Sequence, residues 1–468
     1  MLSFYHRKII TLAHAACLAF IAIQIGIPSA AVALDDQTVV NKDLADPQLR
    51  PIDINDDYKR SDIPGSTDTS GKLPLKGAIE IATDNNRDLK EAQLEVSRFK
   101  WDILAAESQR LPNVRFIGYL ADNTVNSLLV PARPDAFLML TAMLPVTQQY
   151  RYGLEARVGR LQRFIAAERF RQRLDETRSE VKTAYYKVVL DQSLLADVRE
   201  NIKYLAELQA TVANEVRLGN SLKVDEMQVA AKLATAKVEE TKATNTDKID
   251  CEKLNHLLGR NLDTPISLET IPPPDDLEMN PKQAEQKALS MRAEVRIADA
   301  RIRQASAEKK VIWAQYIPNV SVGVFYAALP GFNNSIVPKQ VLAPGIFINW
   351  NAFDWGRKAF LSAARSNVER SAKLQQQQTY DQVLIDLHTQ INKLNESRQM
   401  ARAAELERTA AREEMRVSIN RYKFTQSRLS DVLEAEKSLS QANNSYHQAL
   451  ISFWEARAEF ERAVGTSD

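Results

Sequence analysis

The side chains best suited to chemistry in this 468-residue chain are scattered in a way that argues against catalysis. Beyond the first 33 residues the histidines are His256, His388 and His447, and no two stand at a metal-ligand spacing. No Gly-rich phosphate loop, Gly-x-Ser-x-Gly or His-Glu-x-x-His occurs, so no cofactor or metal is expected. Carboxylates are abundant, with 60 Asp+Glu against 61 Lys+Arg. Asp431 and Glu434 are three apart, which places both on one face of a helix. Repeated around an opening, such a pair concentrates cations and repels anions. A solvated helix face carries the same spacing. The other polar groupings are turn-like: Arg217-Leu218-Gly219-Asn220-Ser221, and Arg421-Tyr422-Lys423-Phe424-Thr425-Gln426-Ser427 ahead of Arg428 and Asp431. Gly219 has the freedom to adopt the left-handed conformation that ends a helix and turns the chain back.

The elements that position these turns follow from composition and periodicity. The chain is 44% hydrophobic and 26% charged, with only 14 glycines, the composition of long charged helices. Residues 1–33 read as a signal peptide: His6, Arg7 and Lys8 precede an apolar run from Ile9 to Ile27, then Pro28 and Ala31-Val32-Ala33. Cys17 sits mid-run with His14 nearby, which does not fit a lipoprotein signal. Removal of this segment takes two basic side chains from a net charge of +1, leaving −1 and one thiol, Cys251. No intrachain disulfide is then possible, and the balanced charge gives no general attraction to nucleic acid.

A repeat runs through the rest at a constant shift of 206 residues. Leu111-Pro112-Asn113-Val114 returns as Ile317-Pro318-Asn319-Val320, Asp225 as Asp431, and Leu258-Gly259 as Val464-Gly465. The chain divides into a polar arm at 34–73, a first repeat at 74–261, a Pro-rich linker at 262–280 and a second repeat at 281–468. Each repeat predicts a helix (about Leu75–Gln109 and Pro281–Gln315), two strands (within about 113–147 and 319–353), a very long helix and a return helix. Val320, Val322, Val324 and Tyr326 alternate with other residues at the strand period, as do Ile346, Ile348 and Trp350. Neither Gly nor Pro occurs from Arg160 to Leu218, enough for a continuous helix of about 90 Å. Its stripe of Val188, Leu195, Val198, Ile202, Leu205, Val212 and Val216 must pack beside other helices. Arg151, Arg157, Arg160, Arg163, Arg169, Arg171 and Arg173 make the start of this helix strongly basic, which composition alone does not explain.

This order, repeated twice behind a signal peptide, resembles the outer-membrane efflux protein family, of which TolC is the familiar member. Asn351-Ala352-Phe353-Asp354-Trp355-Gly356-Arg357 is similar to the family's strand-to-helix corner, with Asn351 in place of its proline. The first repeat keeps Pro145 there but has Gln148 for Asp and Tyr150 for Gly. Arg421-Tyr422 followed by Asp431-Val432-Leu433-x-Ala435 matches the family's second turn, with Thr425 in the place of its glycine. The resemblance implies a mainly α protein with a membrane β-barrel contribution. A homotrimer would supply twelve strands to a barrel in outer-membrane lipid and stand it on an α-helical periplasmic tube. It implies a passive, non-enzymatic exit duct for a tripartite efflux pump or type I secretion system. The partners would be a periplasmic adaptor (membrane fusion) protein and an inner-membrane transporter. It assigns adaptor contact to Arg217, Leu218, Gly219, Asn220, Ser221, Phe424, Thr425 and Ser427. Tip closure falls to Asp225, Tyr422 and Arg428, and an acidic entrance ring to Asp431 and Glu434. A soluble periplasmic coiled-coil scaffold would explain the helices but not the paired strands. An adaptor subunit would need Gly- and Val-rich flanking domains that the chain lacks.

Overall fold

The structure, a computed structural model, describes residues 72–122, 134–219, 221–269, 280–328, 340–424 and 426–465. The expected signal peptide, most of the polar arm and the triple-proline part of the linker lie outside the described residues, as do Asn220 and Thr425.

Each repeat opens with two helices rather than the single one predicted. In the first repeat these are α1 (Leu75–Asn85) and α2 (Arg87–Ser108). The break is at Asn86, whose backbone is extended at ψ 131°. No Gly or Pro marks it. The Asn86 side chain accepts from the amides of Asp88 and Leu89, the N-cap arrangement that satisfies two otherwise unpaired donors. The strands β1 (Asn113–Asp122) and β2 (Pro134–Pro145) follow. Next come the long helix α3 (Gln148–Arg217) and its return α4 (Lys223–Leu257). The second repeat runs α5 (Pro281–Met291), α6 (Ala293–Ala314), β3 (Asn319–Ala328), β4 (Gln340–Asn349), α7 (Arg357–Lys423) and α8 (Leu429–Val464). Its break falls at Arg292, at the repeat equivalent of Asn86. The capping amide is replaced by an ion pair to Asp386 on α7 at 2.7 Å and one to Glu294 at 3.0 Å.

The long helix of the first repeat starts twelve residues earlier than the Gly-free stretch implies, so α3 reaches about 105 Å. Gly153 and Gly159 are helical. At Gly159 a Cβ would stand 3.0 Å from Ile103 of α2, so the missing side chain admits close packing of α2. This packing also accounts for three of the seven arginines in the basic run. Arg160, Arg169 and Arg173 meet Glu107, Glu95 and Asp88 of α2 at 3.0, 4.0 and 2.6 Å. These partly exposed pairs set register more than stability, each contributing about 0–1 kcal/mol.

Helix α6 packs on both α3 and α7, and α8 on both α7 and α3, so the repeats interlock. Tyr186 of α3 stacks on Trp454 of α8 with ring centroids 4.4 Å apart. Near the helix turns one apolar layer joins all four long helices through Leu208, Val212, Val229, Met415, Val432 and Leu433. The end of the polar arm is pinned in place. Leu73 bridges Leu268 in parallel, and Tyr185 donates to the Leu73 carbonyl at 2.8 Å. The start of the linker is therefore part of the fold.

Candidate functional site

Two surfaces stand out: the faces of the sheet and the ends of the two long hairpins.

The four strands form one antiparallel sheet in the order β1-β2-β3-β4. β-Branched and aromatic residues at every second position favour this pleated arrangement. The register brings the even-numbered positions together. Val320 stands opposite Ile348, Val322 opposite Ile346, Val324 opposite Pro344 and Tyr326 opposite Leu342. Phe116 stands opposite Leu140, and Leu144 opposite Val322. This face is apolar along its length until Asp122 and Gln340 at its far end, yet Leu342, Ile346 and Ile348 are each 69% exposed. The other face is mixed, carrying Arg115, Thr141, Asn319, Ser321 and Asn349 among small, aromatic and aliphatic residues such as Ile117, Met143 and Val341. A sheet with one bare apolar face suits contact with lipid there and water or polar contents on the other side. Its strands of ten to twelve residues match the length a tilted strand needs to cross a bilayer. Gly323 is required by crowding, because a Cβ there would lie 2.2 Å from the Ala142 carbonyl oxygen.

The two corners that lead from strand to long helix are built differently. In the second repeat Gly356 adopts a left-handed conformation (φ 80°) at the start of α7, beside Trp355 at φ 55°. In the first repeat no positive φ is used. Instead Thr147 donates its hydroxyl to the Pro318 carbonyl at 2.6 Å and accepts from the Val320 amide at 2.8 Å. The substitutions of Asp and Gly in that corner thus coincide with a different lock.

At the far end of the helices, Gly219 takes the left-handed conformation its position predicts (φ 81°), with open space around it. Leu218 and Leu222 beside it are exposed, and so is Phe424 at the second turn. Arg217 is also exposed and bonds Asn214, one turn back, at 3.0 Å. The two return helices begin alike. Asp225 accepts from the Leu222 amide and Asp431 from the Arg428 amide, each at 3.1 Å. Asp225, Arg428 and Asp431 therefore shape their own helix starts, whatever else they do. Asp431 and Glu434 are both exposed, as one shared face requires, and Glu434 lies 3.9 Å from Lys437.

The polar link between the two turns runs through a residue that the family comparison did not single out. Tyr422 donates to Glu215 at 2.7 Å, and Ser221 donates to the same carboxylate oxygen at 3.1 Å. Burial pushes the Tyr422 hydroxyl above its ordinary range, and the bond to Glu215 adds to the shift. Asp225 contributes to the negative field at this tyrosine without bonding it. Glu215 had no distinguishing signal, since it is one acidic residue in a heavily charged helix. Ser427 is half-buried, with its hydroxyl unpartnered among the described residues.

The histidines among the described residues stand apart. His447 lies 3.0 Å from Asp197 and His388 3.0 Å from Glu285, on different parts of the bundle. Among the described residues no group of three or more His, Cys, Asp or Glu side chains could hold a metal ion. Among the same residues no helix is long and apolar enough to cross a membrane.

A twice-repeated helix–strand–strand–long hairpin, with a bare apolar sheet at one end and tight turns at the other, is the fold of the outer-membrane efflux (TolC-like) channels. The chain is similar to the CmeC outer membrane channel of Campylobacter jejuni, with a TM-score of 0.72 and 14% identity over 84% of this chain and 86% of that one. It is also similar to the MtrE outer membrane channel of Neisseria gonorrhoeae in its open state (TM-score 0.69, 18% identity, 84% and 88% covered). The outer membrane protein VceC of Vibrio cholerae gives a TM-score of 0.69 at 16% identity, with 84% and 96% covered. No protein-family model matches the chain, and no curated protein matches it in sequence.

Proposed function

We propose that three copies of this chain form a passive channel through the outer membrane, the exit duct of an efflux pump or type I secretion system. The observation that carries this reading is the sheet. Four strands cannot close on themselves, so β1 and β4 are left as edges with unpaired backbone groups. In lipid such edges are not tolerated, and three copies give twelve strands with no edge left. The apolar even-numbered face then meets lipid, and the face with Arg115 and Ser321 lines the interior. The long helices continue from the strands into the periplasm, where exposed apolar residues of α4 (Met227, Val238 and Ile249) and α7 (Leu374, Ile385 and Leu406) face neighbouring copies.

In this reading the Leu218–Leu222 and Phe424–Ser427 turns stand at the periplasmic mouth. Arg217, Leu218, Gly219, Asn220, Ser221, Phe424, Thr425 and Ser427 meet a periplasmic adaptor, which couples the duct to an inner-membrane transporter. Asp225, Tyr422 and Arg428 hold the mouth shut, with Glu215 as the direct acceptor of the Tyr422 bond. Asp431 and Glu434 provide six carboxylates around the opening. No catalysis is required of any residue. Residues 1–33 direct export and are removed.

The test is the native mass of the protein extracted from isolated outer membranes in mild detergent. Three mature chains in that fraction are expected. A soluble periplasmic monomer or dimer would overturn the reading and leave a coiled-coil scaffold.

A further inference from the structure

The two repeats are packed alike, and the places where they differ chemically are informative. One lies inside the α3–α4 hairpin. Asp191 of α3 and Asp250 of α4 are both more than nine-tenths buried, and their carboxyl groups interact across the helix interface. The equivalent positions of the α7–α8 hairpin, 206 residues on, hold Ser397 and Ala456. Both are buried, and Ser397 satisfies its hydroxyl on the Leu394 carbonyl within its own helix. The second repeat thus packs small neutral groups where the first buries two acids.

The strongest fields at this pair come from the two helices themselves. Lys187 on α3 lies 3.1 Å from Asp250 Oδ2, and Lys253 on α4 donates to Asp250 Oδ1 at 2.8 Å. Both lysines are partly exposed and serve Asp250. Asp247 and Cys251 on α4 add a further carboxylate and a thiol that burial pushes up to about 12. Oδ2 of Asp191 and Oδ2 of Asp250 are both buried and receive no hydrogen bond among the described residues, although Lys187 lies 3.1 Å from that of Asp250. Three carboxylates therefore face two cations. Two adjacent buried carboxylates cannot both ionise without a large cost, so they hold one proton between them.

We infer that Asp191 and Asp250 form a proton-sensitive joint in the first hairpin, closed when they share a proton and loosened when both are ionised. The placement of the proton follows from the surroundings. For Asp250, burial is outweighed by the bond from Lys253 and the neighbouring Asp191 and Lys187, which hold it below the ordinary carboxylate range. Burial raises Asp191 to about 7, reinforced by Asp250 and Asp247 and opposed by Lys187. The sign is set by this raised value. Opening hydrates Asp191 and returns it to an ordinary acid, which releases its proton. The closed joint is favoured fully at low pH and progressively less as pH rises toward about 7. The joint lies 27 residues above Leu218, so about 40 Å of hairpin separates it from the turn. The inference concerns the hairpin alone and stands apart from the channel reading.

Amide hydrogen exchange of the full chain, followed by mass spectrometry and corrected for intrinsic rates, tests it. Peptides covering 186–195 and 246–255 are compared with those covering 392–401 and 452–460 in the same molecule. Opening at the first pair is expected to rise roughly tenfold per pH unit from about pH 5 to 6.5 and to level off above about 7, with the second pair flat. Asp191→Asn removes the titration and is expected to flatten the first pair. The double substitution D191S/D250A, which imposes the residues of the second repeat, should do the same. A wild-type hairpin with no pH slope relative to the second pair overturns the inference. So does a slope that persists in either variant.

Discussion

Placing one lysine on each face of the sheet separates a lipid-facing surface from an interior one. Val324 and Ala343 stand at the same height, since Val324 pairs with Pro344 and Phe325 with Ala343. They point to opposite faces because their partners are one residue apart. A ten-residue strand is about 34 Å long and, tilted near 45°, spans about 24 Å of hydrocarbon. Both positions are within one or two residues of its middle. On the even-numbered face a lysine at that depth costs about 2–4 kcal/mol, a factor of roughly 30 to 1,000 in the folded ratio per chain. On the other face the row across the sheet from Ala343 runs through Phe325 and Thr141 to Arg115, so it already holds a cation and Ala343→Lys is expected to cost under about 1 kcal/mol. The assay is urea unfolding of each variant folded into phospholipid bilayers, followed by the loss of compact gel migration. Equal costs for Val324→Lys and Ala343→Lys would refute the assignment of the even-numbered face to lipid. A greater cost for Ala343→Lys would reverse it.

Four further variants probe the helical region. Gly259→Ala forces a side chain onto a residue at φ 68° and into the Asn85 carbonyl 2.4 Å away, where Gly219→Ala meets only open space. The first should lower the melting temperature by the equivalent of about 2–4 kcal/mol, and the second by about 1 kcal/mol. Tyr422→Phe deletes the 2.7 Å bond to Glu215 and leaves a half-buried carboxylate with only Ser221. The contact between the turns should weaken by about 1–2 kcal/mol and single-channel conductance should rise; unchanged conductance would remove Tyr422 from closure. Replacing Asp431 and Glu434 together by Ala should reduce cation selectivity in a planar bilayer, and unaltered selectivity would exclude them from the entrance ring.

The architecture was readable because its signals are periodic and doubled. The 206-residue shift located both hairpins, and period-two alternation in Val320–Tyr326 placed one face of β3 correctly. Gly219 was legible as a turn because a left-handed residue with open surroundings needs nothing but glycine. The breaks at Asn86 and Arg292 were not, since neither residue breaks a helix by itself. Asn86 does so through its bonds to two amides, and Arg292 stands at its break among ion pairs to Asp386 and Glu294. The basic start of α3 was visible but unexplained, because its partners Glu107, Glu95 and Asp88 follow a spacing that only antiparallel packing against α2 reveals. Glu215 was invisible for the same reason: its role depends on Tyr422, 207 residues away.

The repeat also indicates where to look for what is particular to this chain. Apolar positions obey the repeat closely: Ala78 and Ala82 pack as Ala284 and Ala288 do, and Leu258 is buried like Val464. The polar positions break it. Asn86 faces Arg292 across the repeat, Asp191 faces Ser397, and Thr147 locks one corner where Gly356 turns the other. Packing two similar hairpins side by side needs only the shared apolar residues, so the shared set defines the scaffold. The unshared polar groups differ in how they are held: Asn86 by caps, Arg292 by ion pairs, and Asp191 by a proton. Of these three, only Asp191 is itself raised to about 7, so among the polar departures from the repeat it is the first hairpin, not the second, that carries the joint inferred above.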